Sequence, residues 1–255
     1  TQPMTSGPVY VGAVVLFLFF LSLFIVKGSI KIWLVIVTIF SILLAWGHNF
    51  MFLTDLFLDY FPGYNKFRTV TMILVIAELA IPLLAFIGLN KIINNDYSKE
   101  EFIKGVKWSV GITGGIALFF ALFAGAFYSF DAAADARLMQ SGWPDFLVDA
   151  LRADRESMLK GDAFRSFIFV ALTFGVVWFY FKGKLKKQYL IAGIALLIVA
   201  DLYPVNKRYL NEDNFARERE LKAEQQPTPA DQFILRDNDI HYRVLNLSTS
   251  PFQDG

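Results

Sequence analysis

Apolar residues along this chain fall into long blocks separated by short polar connections. A helix rises about 1.5 Å per residue, so about 20 mainly apolar residues cross the roughly 30 Å hydrocarbon layer of a bilayer. Six blocks approach this length, at 9–26, 32–46, 69–89, 108–130, 166–181 and 189–203. Trp33 and Trp46 stand at the two ends of the second block as interface anchors. In the fourth, "GITGG" offers small residues where another helix backbone can approach closely. The last two blocks are short and need tilt, a thinner bilayer, or snorkelling from Lys182 or Lys187.

The connections alternate in charge. One group carries Lys27 and Lys31, then Lys91, Lys99, Lys104 and Lys107, then Lys182, Lys184, Lys186 and Lys187. Dense lysine predicts the cytoplasmic side, which leaves 47–68, 131–165 and everything after Pro204 outside. Two outer connections have helical patterns of their own. "NFMFLTDLFLDYFPG" reads as a short interfacial helix stopped by Pro62-Gly63, and "WPDFLVDALRADRESMLKGDAFRS" as a second one starting at Pro144. After Pro204 the composition turns charged, with a helical "ARERELKAE", another helix start at Ala230 and a strand-like "HYRVLNL". The predicted fold is an all-α polytopic membrane protein over 1–204, with about six transmembrane helices and interfacial helices in its outer loops. The start of a truncated, soluble outer α/β domain follows over 205–255.

Composition agrees with a membrane class: of 255 residues, 55% are hydrophobic and 16% aromatic. A net charge of +1 lacks the basic excess of a nucleic-acid partner. The absence of cysteine excludes disulfides and thiolate metal sites. No glycine-rich nucleotide loop is present, and a first residue of Thr without a signal region suggests an internal piece of a longer polypeptide.

Several residues are candidates for chemistry. Glu78 lies inside an apolar block, where a carboxylate costs about 2.5–3.5 kcal/mol on insertion scales, and Pro82 four residues later removes the donor for the carbonyl of residue 78. This suits a substrate-cavity or proton-relay carboxylate, or a Glu that locks two helices. Asp55 and Asp59 share a helical face, as cation ligands, as an acid–base pair or as a solvated surface. His48 and His241 form no metal constellation. In "PGYNKFR", Asn65, Lys66 and Arg68 precede an apolar helix whose N-terminal N–H groups and dipole attract anions, and arginine offers a bidentate fork for phosphate. Snorkelling to lipid headgroups is the plainer role for these cations.

The strings "PMTSGPVYVGA", "LTDLFLDYFPGYNKFRTVTMILVIAELAIPLLA", "LRADRESMLKGDAFRS" and "DLYPVNKRYLN" resemble the bacterial YfhO-type membrane protein family across nearly the whole chain. The resemblance implies a multi-pass protein of the bacterial cytoplasmic membrane, related in architecture to GT-C glycosyltransferases. It implies transfer of a sugar from a polyprenyl-phosphate carrier to a cell-envelope polymer on the outer face. The catalytic carboxylate of such enzymes lies in a first outer loop, so none is expected here; no cofactor is identified, and a metal requirement stays open. The carrier phosphate would meet Asn65, Lys66 and Arg68, with Arg152, Arg155 and Arg165 completing an anionic pocket and Asp201 as a possible counter-ion to Lys66 or Arg68. A transporter or lipid flippase, marked by Glu78 and Pro82, and a non-catalytic scaffold are the alternatives.

Overall fold

The helix that begins at Ala13 is apolar on every side, and a helix of that kind belongs inside a bundle rather than on its surface. The structure, a computed structural model of the chain, describes residues 9–66, 70–215, 226–227 and 229–236. It places this helix, α1 (Ala13–Ile25), at the centre, with nine of its 13 residues buried. Around it lie α4 (Leu74–Ile93), α5 (Lys99–Ser109), α8 (Asp145–Phe181) and α9 (Lys187–Tyr209), all in contact with α1. α6 (Gly115–Phe127) packs on α8, and α2 (Ser29–Ala45) packs on α4.

Two glycines set the closest crossings. A Cβ on Gly88 would stand 1.9 Å from Ser22 Oγ, so α4 can approach α1 there only without a side chain. The Ser22 hydroxyl donates to Leu18 O at 2.7 Å, leaving no orphan donor in the seam. On α5, a Cβ on Gly105 would meet Leu21 Cδ1 at 2.8 Å. By contrast, Gly111 and Gly115 of "GITGG" have nothing within 4 Å of a built Cβ. The segment Val110–Gly114 instead forms a π-helical turn between α5 and α6.

The lysine-rich connections gather at one end of the bundle. Lys27 Nζ pairs with Glu101 at 2.6 Å, Lys91 with Asp96, and Tyr180 donates to Ile93 O at 3.0 Å. Phe102 is stacked between Tyr97 and Phe181, at ring distances of 5.1 and 4.4 Å. Thus α1, α4 and α8 run towards this end, and α2, α5–α6 and α9 run away from it.

Among the described residues, four helical segments are long and apolar enough to cross a membrane: Thr71–Ile93, Lys99–Phe127, Asp145–Phe181 and Lys187–Tyr209. This differs from the six blocks of the sequence in two places. α1 is only 13 helical residues, and the second block turns through 107° into α3 (Met51–Tyr60). At the bend Gly47 takes φ +47°, and the Thr54 hydroxyl donates to its carbonyl at 2.9 Å. A helix before Pro62, where an interfacial one was expected, is present as α3. The second is not separate: without a breaker before Phe181, residues 145–181 form one helix of 37 residues, about 55 Å long. α7 (Ala133–Gln140) packs against its outer part.

Residues 210–255 form a second unit. Among its described residues are a 3-10 turn, Glu212–Asn214, and a short helix, α10 (Pro229–Ile234), beside the expected start at Ala230. No strand occurs among the described residues, and "HYRVLNL" and "ARERELKAE" lie outside them.

Candidate functional site

At the end of the bundle opposite the lysines, one carboxylate is entirely enclosed. Asp201 comes from α9, a helix that is apolar for three turns before it, and is 0% exposed. A bare carboxylate there would be costly, so its oxygens must be filled. They accept from Ala13 N at 2.6 Å, Val14 N at 3.3 Å and the Tyr10 hydroxyl at 2.8 Å. Asp201 therefore caps the N-terminus of α1 from another helix, satisfying donors that the first helical turn leaves open. Gly12, at φ +89°, makes the entry possible, since a Cβ there would lie 3.0 Å from Asp201 Oδ2.

Arg165, on α8, answers the charge without closing on it. Its Nη2 lies 3.9 Å from Asp201 Oδ1, and its guanidinium carbon sits 5.7 Å from the centre of the Tyr10 ring. The side chain is 22% exposed, yet Nε and Nη1 are buried and have no hydrogen-bond partner among the described residues. Because Asp201 is already occupied by three donors, the guanidinium keeps donors free for an acceptor oxygen of another molecule.

The Arg165 side chain lines a cavity of about 500 Å³. α1 contributes Leu16 and Phe20, α6 Ile116 and Phe120, and α8 Val170, so the deeper walls are apolar. The π turn supplies Thr113, whose hydroxyl is spent on Ser109 O at 2.6 Å. Polar groups collect at the other end, where Tyr10, Arg165 and Ser166 meet a rim made by Asp162 and Arg208. The last two form a bidentate pair, Nη1 to Oδ2 at 2.6 Å and Nη2 to Oδ1 at 2.7 Å. The arrangement suits an elongated ligand with an anionic end.

The other arginines named from the sequence are engaged by carboxylates. Arg155 forks onto Asp135 with two contacts of 2.7 Å and donates to Phe130 O at 2.9 Å. That guanidinium, helped by the Ala132 N–H, holds the Asp135 carboxyl down at about 2. Arg152 pairs with Asp131 at 2.8 Å and Asp149 at 2.9 Å. Together they clasp α7 and its flanking loop to α8.

Asp55 and Asp59 are exposed on α3, and Lys66 is exposed at the end of a 3-10 turn, Tyr64–Lys66. Arg68 and the Asn65 side chain lie outside the described residues. Asp201 and Lys66 are not paired; the described partners of Asp201 are Tyr10, Arg165 and the α1 backbone. Glu78 is half-buried in α4, one turn before Pro82, with no ion pair among the described residues. No group of three metal-ligating residues occurs among the described residues.

Tyr10, Asp162, Ser166 and Arg208 were not singled out by sequence reasoning. The available signal was a helical spacing: Asp162, Arg165 and Ser166 lie three and four residues apart, on one side of α8. Comparison with protein families, with curated proteins and with solved structures finds no match to this chain.

Proposed function

We propose that the chain is the membrane part of a YfhO-type, GT-C-like glycosyltransferase of the bacterial cytoplasmic membrane. In this reading the lysine end faces the cytoplasm and the Asp201 end faces outward. A polyprenyl-phosphate-linked sugar is the donor, a cell-envelope polymer the acceptor, and the catalytic carboxylate belongs to a part of the protein outside this chain. The observation that carries the reading is Arg165, a cation that lines a mostly apolar cavity opposite the lysines and has two guanidinium nitrogens without a partner among the described residues. A cation placed there stabilises charge that builds on the carrier phosphate as the glycosidic bond breaks. Lys66, Arg68 and Asn65, on the same outward side by loop counting, would guide the donor in, while Arg152 and Arg155 serve the α7 clasp. Charge pattern and cavity chemistry favour this reading; the family resemblance supplies its reaction.

Glu78 supports a second reading. A half-buried carboxylate one turn before a proline inside a continuous apolar helix suits the intramembrane carboxylate of a transporter or flippase. The two separate in full-length protein reconstituted with a polyprenyl-phosphate sugar. The transferase requires that Arg165→Gln abolish sugar transfer and that Lys66→Ala and Arg68→Ala reduce it, all with normal insertion, and that Glu78→Gln leave it intact. Full activity in Arg165→Gln would remove the proposal. Sidedness is read from a cysteine at Gly63, which should label with an impermeant thiol reagent before the cytoplasmic face is opened.

A further inference from the structure

We propose that the cavity is an anionic-lipid site with a built-in stand-in for its ligand, the carboxylate of Asp162. This rests on the preceding section only for which face of the membrane the site occupies; the ligand chemistry comes from the cavity itself. Two arginines flank its polar end and are used differently. Arg165 has free donors, while Arg208 has both terminal nitrogens committed to Asp162. Asp162 and Arg165 stand three residues apart on α8 and both line the cavity, so the carboxylate held by Arg208 has a second guanidinium on its own helix face. That is the position a phosphate with two or more acceptor oxygens would take.

The Asp162–Arg208 pair is half-exposed, so little free energy holds it closed. A phosphate offers Arg208 the same bidentate geometry and Arg165 its first acceptor, which Asp162 does not reach. Binding therefore moves Arg208 from Asp162 to the ligand, and Asp162 turns to water. Below the headgroup, an apolar chain follows Leu16 and Phe20 on one wall and Ile116 and Phe120 on the other. Ile116 and Leu159 are themselves partly open to the surroundings, which gives a bilayer lipid sideways entry. The ligand class is a phosphate-headed, long-chain lipid, met either by a polyprenyl phosphate or by an ordinary anionic phospholipid.

The test uses the purified full chain in nanodiscs of phosphatidylcholine, titrated separately with undecaprenyl phosphate, phosphatidic acid and inorganic phosphate. At least one lipid should bind saturably, and inorganic phosphate should not compete. Which lipid binds identifies the source of the headgroup. Loss of one charge-assisted contact is worth roughly tenfold in affinity, so Arg165→Gln and Arg208→Gln should each weaken binding by about that factor. Asp162→Asn should tighten it several-fold, and Ala117→Trp, which fills the apolar lane, should abolish it in protein that keeps its unfolding temperature. If Asp162→Asn binds no tighter, the stand-in role is wrong. If neither lipid binds, or Arg165→Gln binds as well as the parent, the site is wrong. Saturable binding in protein whose transfer activity ignores Arg165 would sink the transferase reading and leave this one standing.

Discussion

The two ends of the bundle are both rich in charge but use it in opposite ways. At the lysine end the charges point out: Lys27 is 72% exposed in its pair with Glu101, and the helices beneath meet through neutral groups, Ser22 on Gly88 and Phe102 between two rings. At the far end the charges point in, with Asp201 sealed and Arg165 mostly covered. Solvated charge is cheap and marks orientation; desolvated charge is costly and persists where a structure or a ligand needs it. The far end is therefore where a function is sought.

The largest test of this contrast is Asp201→Ala. It strands two backbone donors and Arg165, and breaking a buried charged arrangement costs about 3–5 kcal/mol, read as unfolding in mild detergent. A change as small as that of a surface pair would erase the distinction between the ends. Next is Gly88→Ala at the neutral seam, where overpacking costs about 1–3 kcal/mol. Part of that loss should return in Gly88→Ala/Ser22→Gly, because the nearest obstruction is the serine side chain.

The α7 clasp gives a pH profile. The Asp135 carboxyl is depressed in the folded chain to about 2, so its contribution is fully present above the ordinary carboxylate range near 4. It is lost as pH falls through about 2. The protection of α7 amides from hydrogen exchange, corrected for the intrinsic pH dependence of the rate, should therefore be unchanged between pH 7 and 5, and Arg155→Gln should shift the onset of α7 release upward towards pH 4. The smallest effect belongs to Lys27→Ala, about 0.2–1 kcal/mol and vanishing at high salt.

The helical membrane class was legible because apolar runs of that length admit few other solutions, and the lysine periodicity correctly grouped the connections that meet at one end. The central place of α1 was readable only as apolarity on all sides. Helix contacts were less legible. "GITGG" looks like a crossing and forms a π turn, while Gly88 and Gly105, each a lone glycine in its stretch of helix, mark the true close approaches. In the site, Arg165 and Asp201 stood out as charges in or beside apolar blocks. Their partners did not, because a cap supplied by residue 201 to residues 13 and 14 leaves no local pattern. The bend at Gly47 was hidden for a similar reason: hydropathy runs on through it, and only the backbone turns.

The shortness of α1 reaches beyond packing. Thirteen residues make about 20 Å, roughly 10 Å less than the hydrocarbon layer. A bilayer that met the lysine end of α1 at one boundary would extend past its capped end at the other. Over that missing length the apolar layer would be met by the helices around α1, among which α8 runs to 37 residues. Charges held at the capped end of so short a helix, as Asp201 and Arg165 are, would then sit below a membrane surface rather than at it.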